Sequence, residues 1–217
     1  MTDKDDAAAT DRPAVRADGG TDPDAADHDW PVVESVTEYD TPWYRGGYDL
    51  VEQPDGSRKR YYWAELPPAV VVVAVTEGEM VFVEQYRPTV REAQLELPAG
   101  IVEGHTDGDA HGEGVVPREG GESYESAAAR ELREETGYAP DETTLLQRYD
   151  VATGIMRHER GIVFAEGLTE VGTDLDDNEF LSVEHVPVDA ALEAARTLPT
   201  NDATVEGVLL AKEDGYL

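Results

Sequence analysis

The N-terminal tail has few apolar residues, whereas the rest of the chain is rich in apolar patterns typical of strands. Residues 1–29 carry almost no large apolar side chains, so we expect a disordered acidic tail there. Residues 30–66 have the pattern of short strands joined by turns. The turn residues Pro54-Asp55-Gly56 separate two of these strand patterns, Tyr48–Glu52 and Arg58–Trp63. The sequence therefore predicts a small N-terminal β segment before the main domain.

A strongly apolar run, Ala69–Thr76, is rich in β-branched residues and predicts a buried strand. The turn residues Glu77-Gly78-Glu79 lead from it into Met80–Gln85, so the two strands should form a hairpin. Strand patterns dominate, and helical patterns lie between and after them, which predicts an α+β fold. The other expected elements are strands at 143–150 and 161–166 and helices at 188–197 and 201–212.

One predicted helix concentrates acidic side chains, because Glu131, Glu134 and Glu135 fall within about a turn and a half. At about 100° per residue, Glu131 and Glu135 lie one above the other, with Glu134 beside them. Like charges in this arrangement destabilise a helix by roughly 0.2–0.5 kcal/mol per pair, and a cation would relieve the repulsion. Hard divalent ions take carboxylate oxygens as ligands, so the pattern predicts a metal site. Ser123 is the expected N-cap of this helix, and Gly137 is the expected stop.

The spacing around the acidic helix resembles a known signature. If residues 105–120 are an inserted, polar, glycine-rich surface loop, Gly100 stands six positions before Glu122. The pattern is then Gly-x5-Glu-x7-Arg-Glu-Leu-x-Glu-Glu-x-Gly-Tyr, which resembles the Nudix box of hydrolases that cleave nucleoside diphosphates linked to another group. A solvated acidic helix is the alternative interpretation, but it explains neither Arg130, nor Gly137, nor the upstream segment.

The resemblance extends to the ADP-ribose pyrophosphatase branch of the Nudix hydrolases. It is carried by the runs Gln85-Tyr86-Arg87-Pro88, Leu95-Glu96-Leu97-Pro98-Ala99-Gly100 and Asp177-Asn178-Glu179-Phe180. It implies a Nudix α/β/α sandwich over residues 67–217, preceded by the N-terminal β segment 30–66. The run Ala152-Thr153-Gly154 departs from the Ser-Pro-Gly that is common in the branch, so the choice between ADP-ribose and other nucleoside diphosphate sugars stays open.

The resemblance also implies a metal site. Glu131 and Glu135 would be the primary ligands, and Glu134 a further ligand or a catalytic group just behind them. The backbone carbonyl of Ala99 would also bind the metal, and Glu122 is a less certain ligand because its loop is altered. The ion would be Mg²⁺, with Mn²⁺ as the alternative. Arg130 can reach Glu134 at the i+4 position and would hold that carboxylate in place.

Substrate-binding residues follow from the same resemblance. Arg87 would bind phosphate, because its planar guanidinium group matches phosphate oxygens; a surface ion pair is the alternative. Glu96 would accept a hydrogen bond from the substrate or lie behind the metal ligands. Trp43, Tyr44 and Trp63 lie in the N-terminal segment, where this branch places aromatic residues that stack on adenine, and a core position is the alternative for each.

The general base is expected in a loop after the box, where Glu179 matches and Glu159 is the second candidate. The implied reaction is Mg²⁺-dependent hydrolysis of the pyrophosphate bond of ADP-ribose or a related nucleoside diphosphate sugar. Its products would be a nucleoside monophosphate and a sugar phosphate. The alternative is a non-catalytic Nudix-like module that binds a nucleotide and acts as a sensor.

The composition of the chain indicates the environment and the partners that we expect for the protein. The 217 residues include 48 acidic and 17 basic ones, which gives a net charge of −31, and only three are lysines. This charge repels nucleic acids and anionic membranes. Its spread along the chain resembles that of proteins from the salt-rich cytoplasm of an extreme halophile, and a mesophilic acidic protein is the alternative. The chain has no cysteine, no apolar stretch of about 20 residues, and no apolar core of a secretory signal at its start. We therefore expect a cytoplasmic, halophilic homodimer whose other partner is a small nucleoside diphosphate.

Overall fold

The computed structural model of the chain describes residues 30–104, 121–175 and 180–217. The acidic tail expected at 1–29, the insertion loop expected at 105–120 and the candidate base Glu179 lie outside the described residues. The strands are β1 (Val32–Asp40), β2 (Arg45–Glu52), β3 (Arg58–Glu65), β4 (Ala69–Thr76), β5 (Glu79–Arg87), β6 (Glu92–Glu96), β7 (Ala99–Ile101), β8 (Tyr138–Ala139), β9 (Glu142–Asp150), β10 (Met156–Arg157), β11 (Glu159–Glu166), β12 (Thr169–Glu170) and β13 (Leu181–Pro187). The helices are α1 (Tyr124–Thr136), α2 (Ala191–Arg196) and α3 (Asp202–Glu213).

The predicted hairpin is confirmed, since β4 and β5 pair antiparallel. Its turn places Glu77 at φ 51° and Gly78 at φ 84°. Positive φ at both central residues is the geometry whose twist matches a tight two-residue hairpin.

A seven-stranded sheet forms the middle layer, with the order β13-β5-β4-β11-β9, β6 beside β5 and β7 beside β4. Strands β4 and β11 run parallel to each other. Because successive side chains of a strand point to opposite faces, Val70 and Val72 pack in one core and Val71 and Val73 in the other.

The helices cover both faces of this sheet. Helix α1 packs Ala127, Ala128 and Leu132 into the core that contains Val70. Helices α2 and α3 pack Ala195 and Val208 into the core on the other side. The three layers are the α/β/α sandwich that the sequence predicted. Over the described part of the chain, no helix combines the length and the apolar character needed to cross a membrane.

A second sheet, with the order β1-β2-β3-β10, contains the predicted N-terminal strands. Strand β10 comes from beyond the boundary predicted at residue 66 and pairs in parallel with β3. Arg157 of β10 forms an ion pair with Asp49 of β2, and its guanidinium lies 4.2 Å from the centre of the Trp63 ring. These contacts tie the N-terminal segment to the main domain.

Candidate active site

Helix α1 is built as its sequence predicted. The Ser123 side chain accepts a hydrogen bond from the Ser126 N–H at the first turn, and Gly137 ends the helix at φ 76°. Glu131 and Glu135 are both buried, at 9% and 4% exposure, whereas Glu134 is more accessible. Two carboxylates on consecutive turns therefore face inward from the same side of the helix.

Arg130 ties the acidic residues together. Its Nε and Nη2 donate to the two oxygens of Glu122, at 3.1 and 3.0 Å. Its Nη1 donates to Glu131 Oε1 at 2.9 Å and to Glu134 Oε2 at 3.1 Å, so the contact expected at i+4 is present. A fifth bond runs from Nη2 to the Ile101 carbonyl at 2.8 Å. These carboxylates, Glu122 foremost, raise the pKa of Arg130 above its usual value.

The segment around β7 packs directly against the buried carboxylates. The Ala99 N–H donates to Glu135 Oε2 at 3.1 Å. A Cβ atom at position 100 would lie only 1.9 Å from the Glu131 carboxyl carbon, so only glycine permits this approach. The segment and the helix are thereby fixed relative to each other at the carboxylates.

These elements form one wall of a cavity of about 870 Å³. Its basic lining comes from Arg87 and Arg130, and its acidic lining from Glu103, Glu131, Glu134, Glu135 and Asp174. Its aromatic lining comes from Trp43, Tyr86 and Phe180, whose side chains are 69%, 59% and 83% exposed. The cavity therefore brings carboxylates, guanidinium groups and exposed aromatic rings together.

The donor atoms at the acidic wall fit a hard divalent cation, because carboxylate oxygens and the nearby Ala99 backbone are the kind of ligand such ions prefer. Within the described ranges, however, no three Asp, Glu or His side chains converge closely enough to enclose an ion. Arg130 takes one oxygen of Glu131 and one of Glu134 at this wall.

Arg87 and Glu96 are brought together, but only Arg87 is among the described residues that line the cavity. The Arg87 Nε donates to Glu96 Oε2 at 2.9 Å, and Nη2 donates to the same oxygen. Glu96 is 5% exposed and also accepts hydrogen bonds from Gln85 and Asn201. Glu96 thus lies behind Arg87.

The three aromatic residues expected near adenine lie in different places. Trp43 is exposed and lines the cavity. Trp63 is buried, and its Nε1 donates to Asp49 Oδ1 at 3.1 Å, which is the core position left open by the sequence. Tyr44 is exposed but outside the described lining of the cavity.

The structure describes the surroundings of only one of the two candidate bases, Glu159. Glu179 lies outside the described residues, although Leu175 and Phe180, on either side of the undescribed stretch, both line the cavity. Glu159 accepts a hydrogen bond from the Tyr124 hydroxyl at 2.6 Å and pairs with Arg148 at 3.4 Å. Burial, together with the hydrogen bond to Glu159, raises the pKa of Tyr124. Glu159 is not among the described residues of the cavity wall.

Sequence reasoning did not single out Tyr86 and Phe180 as site residues. Each stood inside a run already noted for its resemblance, Tyr86 beside Arg87 and Phe180 beside Glu179. Their aromatic character within those runs was the available signal.

Comparison with known proteins decides the family. A family model described as the NUDIX domain matches residues 65–206, most of the chain. The chain belongs to the Nudix family. Nudix hydrolases generally use divalent metal ions, in agreement with the acidic wall of the cavity.

Individual relatives of this Nudix protein agree with the assignment. It is 31% identical to an ADP-ribose pyrophosphatase of Bacillus subtilis (strain 168) over 156 residues, which is 70% of this chain and 76% of that protein. It is 29% identical to an ADP-ribose pyrophosphatase of Mycobacterium tuberculosis over 188 residues, covering 85% and 84%. A crystal structure of an ADP compounds hydrolase superposes with a TM-score of 0.72 at 20% identity, covering 87% of this chain and 97% of the other, which supports the fold.

Proposed function

We propose that this Nudix protein hydrolyses the pyrophosphate bond of ADP-ribose or a related nucleoside diphosphate sugar with the help of Mg²⁺. The products are a nucleoside monophosphate and a sugar phosphate. One observation carries the proposal: buried Glu131 and Glu135 form the acidic wall of a cavity that Arg87 also lines. The two relatives named as ADP-ribose pyrophosphatases support this substrate class.

The ion would be held by Glu131, Glu135 and the Ala99 carbonyl, with Glu134 as a further ligand. When bound, Mg²⁺ offsets the negative charge of the pyrophosphate and orients the attacked phosphorus. Mn²⁺ is the alternative ion. Arg130 keeps the carboxylates in place through the hydrogen bonds described above.

The chain's own side chains bind and orient the substrate. The guanidinium group of Arg87 presents a planar fork to phosphate oxygens. The exposed ring of Trp43 stacks on the base, an interaction worth roughly 1–3 kcal/mol per base. Glu179 removes the proton from the attacking water. We also propose that the protein is a homodimer and acts in a cytoplasm of high salt concentration, as expected from the sequence.

The test uses the purified full chain in molar KCl, with ADP-ribose and a panel of other nucleoside diphosphate sugars. Phosphate released from the products by an added phosphatase reports turnover. We expect turnover with Mg²⁺, none after EDTA, and a loss of several orders of magnitude in kcat for Glu135→Gln. Glu166→Gln, which alters an exposed carboxylate at the end of β11, is the matched control and should behave as the unchanged protein.

Two results would contradict the proposal. Near-normal Mg²⁺-dependent turnover by Glu135→Gln would show that this carboxylate is not a ligand of the metal. Binding of ADP-ribose by the unchanged protein without any cleavage would favour the sensor module instead.

A further inference from the structure

A chain of hydrogen bonds joins the start of helix α3 to the wall of the cavity. Asn201 is the N-cap of α3, and its side-chain oxygen accepts from the Thr204 N–H at 2.8 Å. Its side-chain nitrogen donates to Glu96 Oε1 at 2.8 Å. The other oxygen of Glu96 accepts from Arg87 and from Gln85. Asn201 thus reaches Arg87 through one intervening carboxylate.

Burial makes the Glu96 carboxylate dependent on these donors. At 5% exposure its charge is largely removed from water, which is costly unless the charge is paired and hydrogen-bonded. Asn201 holds one oxygen and Arg87 the other, so the plane of the carboxylate is set from two sides.

The position of Arg87 depends in turn on Glu96. The Arg87 side chain is 44% exposed and carries several rotatable bonds, so an anchor reduces its freedom at the cavity. Glu96 engages Nε and Nη2, which form one edge of the guanidinium group. The adjacent edge, formed by Nη1 and Nη2, has the fork geometry that suits phosphate oxygens.

We propose that Asn201 is a positioning residue for Arg87 and acts through Glu96. The inference rests on the proposed function, because it takes Arg87 as the group that binds the pyrophosphate. Asn201 itself is not among the described residues that line the cavity. Its amide serves two purposes that a single oxygen cannot, since one end accepts from the helix and the other donates to a carboxylate.

The substitution Asn201→Asp separates these two purposes. Aspartate and asparagine are about equally good N-caps, so helix α3 should begin as before. The donor that faces Glu96 is replaced by a negatively charged oxygen, which repels the buried carboxylate. We expect KM for ADP-ribose to rise about tenfold, the size of effect seen when a charge-assisted hydrogen bond is lost, while kcat stays within about threefold.

The control is Val208→Ala in the same helix, which weakens the core without touching Glu96. This variant should lower the melting temperature and leave KM unchanged. If Asn201→Asp does not fold, Asn201→Ser keeps an N-cap oxygen and removes the amide donor, and KM should rise about threefold.

A double-mutant cycle distinguishes action through Arg87 from a general effect. In an Arg87→Ala background, Asn201→Asp should change KM by less than about twofold, because the residue it positions is gone. An undiminished rise in KM in that background would overturn the inference. So would an unchanged KM in Asn201→Asp, or a loss confined to kcat.

Failure of the proposed function can be recognised separately. If the unchanged protein cleaves none of the panel, calorimetric titration with ADP replaces KM as the measurement. Weaker ADP binding by Asn201→Asp, about tenfold, would then support the positioning role without hydrolysis. Equal ADP affinity in both proteins, or no ADP binding by either, would overturn it.

Discussion

The close approach of Gly100 to Glu131 gives a prediction whose size follows from the structure. In Gly100→Ala, the new Cβ would lie 1.9 Å from the Glu131 carboxyl carbon. Non-bonded carbon atoms rest about 3.5–4.0 Å apart, so the carboxylate must retreat by about 1.6 Å or more. The retreat is opposed by the Arg130 hydrogen bond at 2.9 Å and by burial of the side chain.

A shift of this size should affect catalysis more than folding. Misplacing a catalytic group by about 1 Å can cost about 10²-fold in rate, and overpacking a core costs typically about 1–3 kcal/mol of stability. We therefore expect kcat/KM for ADP-ribose to fall by at least about 10²-fold, equivalent to about 2.7 kcal/mol of transition-state stabilisation. The chain should still fold, as circular dichroism and a cooperative melting curve would show.

The matched control is Gly46→Ala in strand β2. A Cβ there would meet its nearest atom, the Trp63 carbonyl oxygen, at 3.5 Å, which is an ordinary contact. Its kcat/KM should stay close to that of the unchanged protein. Normal activity in Gly100→Ala would show that the position of the Glu131 carboxylate does not matter to the reaction. Equal losses in both variants would point to a general effect on the fold.

Four other predictions test the remaining inferences. Glu179→Gln should lower kcat by about 10²–10⁴-fold with little change in metal affinity, and Glu159→Gln should have little effect; the reverse result would exchange their roles. Light scattering in molar KCl should give twice the mass of the chain, because residues 30–66 expose several aromatic side chains of the kind enriched in interface cores, and a monomer mass under active conditions would refute the dimer. Burial lowers the pKa of His158, whose Nδ1 lies 2.9 Å from the Pro67 carbonyl oxygen, so the unfolded chain takes up this proton first as the pH falls below about 6.5. As the pH falls below that value, the free energy of unfolding should therefore decrease more in the unchanged protein than in His158→Asn. Parallel curves of this free energy against pH for the two proteins would contradict the prediction. With Mg²⁺ saturating, the melting temperature should rise as the KCl concentration increases from about 0.1 to about 3 M, because salt screens the charge of −31. A melting temperature that does not change with KCl would show that the acidic composition is not an adaptation to high salt.

Local patterns were sufficient to predict the elements that carry the acidic wall. The hairpin of β4 and β5 and the helix between Ser123 and Gly137 were predicted because their periodicity, turns and caps lie within a few residues of each other. The same holds for Arg130 and Glu134, which are neighbours on one helix. The two-residue strand β10 was not predicted, because it is defined by its pairing with β3 and two residues carry no periodicity.

Contacts between distant parts of the chain could not be predicted in this way. Trp43 is exposed, whereas Trp63 is buried and contacts both Arg157 and Asp49, which are 108 residues apart. Glu96 was expected to accept a hydrogen bond from the substrate or to lie behind the metal ligands, and its contact with Asn201, 105 residues away in the chain, could not be predicted from local sequence. Such pairings are set by tertiary packing, which no window of local sequence contains.

The way Arg130 is anchored explains how the acidic wall can fold and still accept a cation. Three carboxylates, from Glu122, Glu131 and Glu134, contact this one guanidinium group, so the cluster retains negative charge that attracts a cation. Arg130 gives both Nε and Nη2 to Glu122, which is not among the described residues that line the cavity. Only Nη1 reaches the oxygens of Glu131 and Glu134 at the cavity. In the proposed metal site, those oxygens would exchange Nη1 for the ion while the two hydrogen bonds to Glu122 still anchor Arg130, so the helix would not have to refold on metal binding.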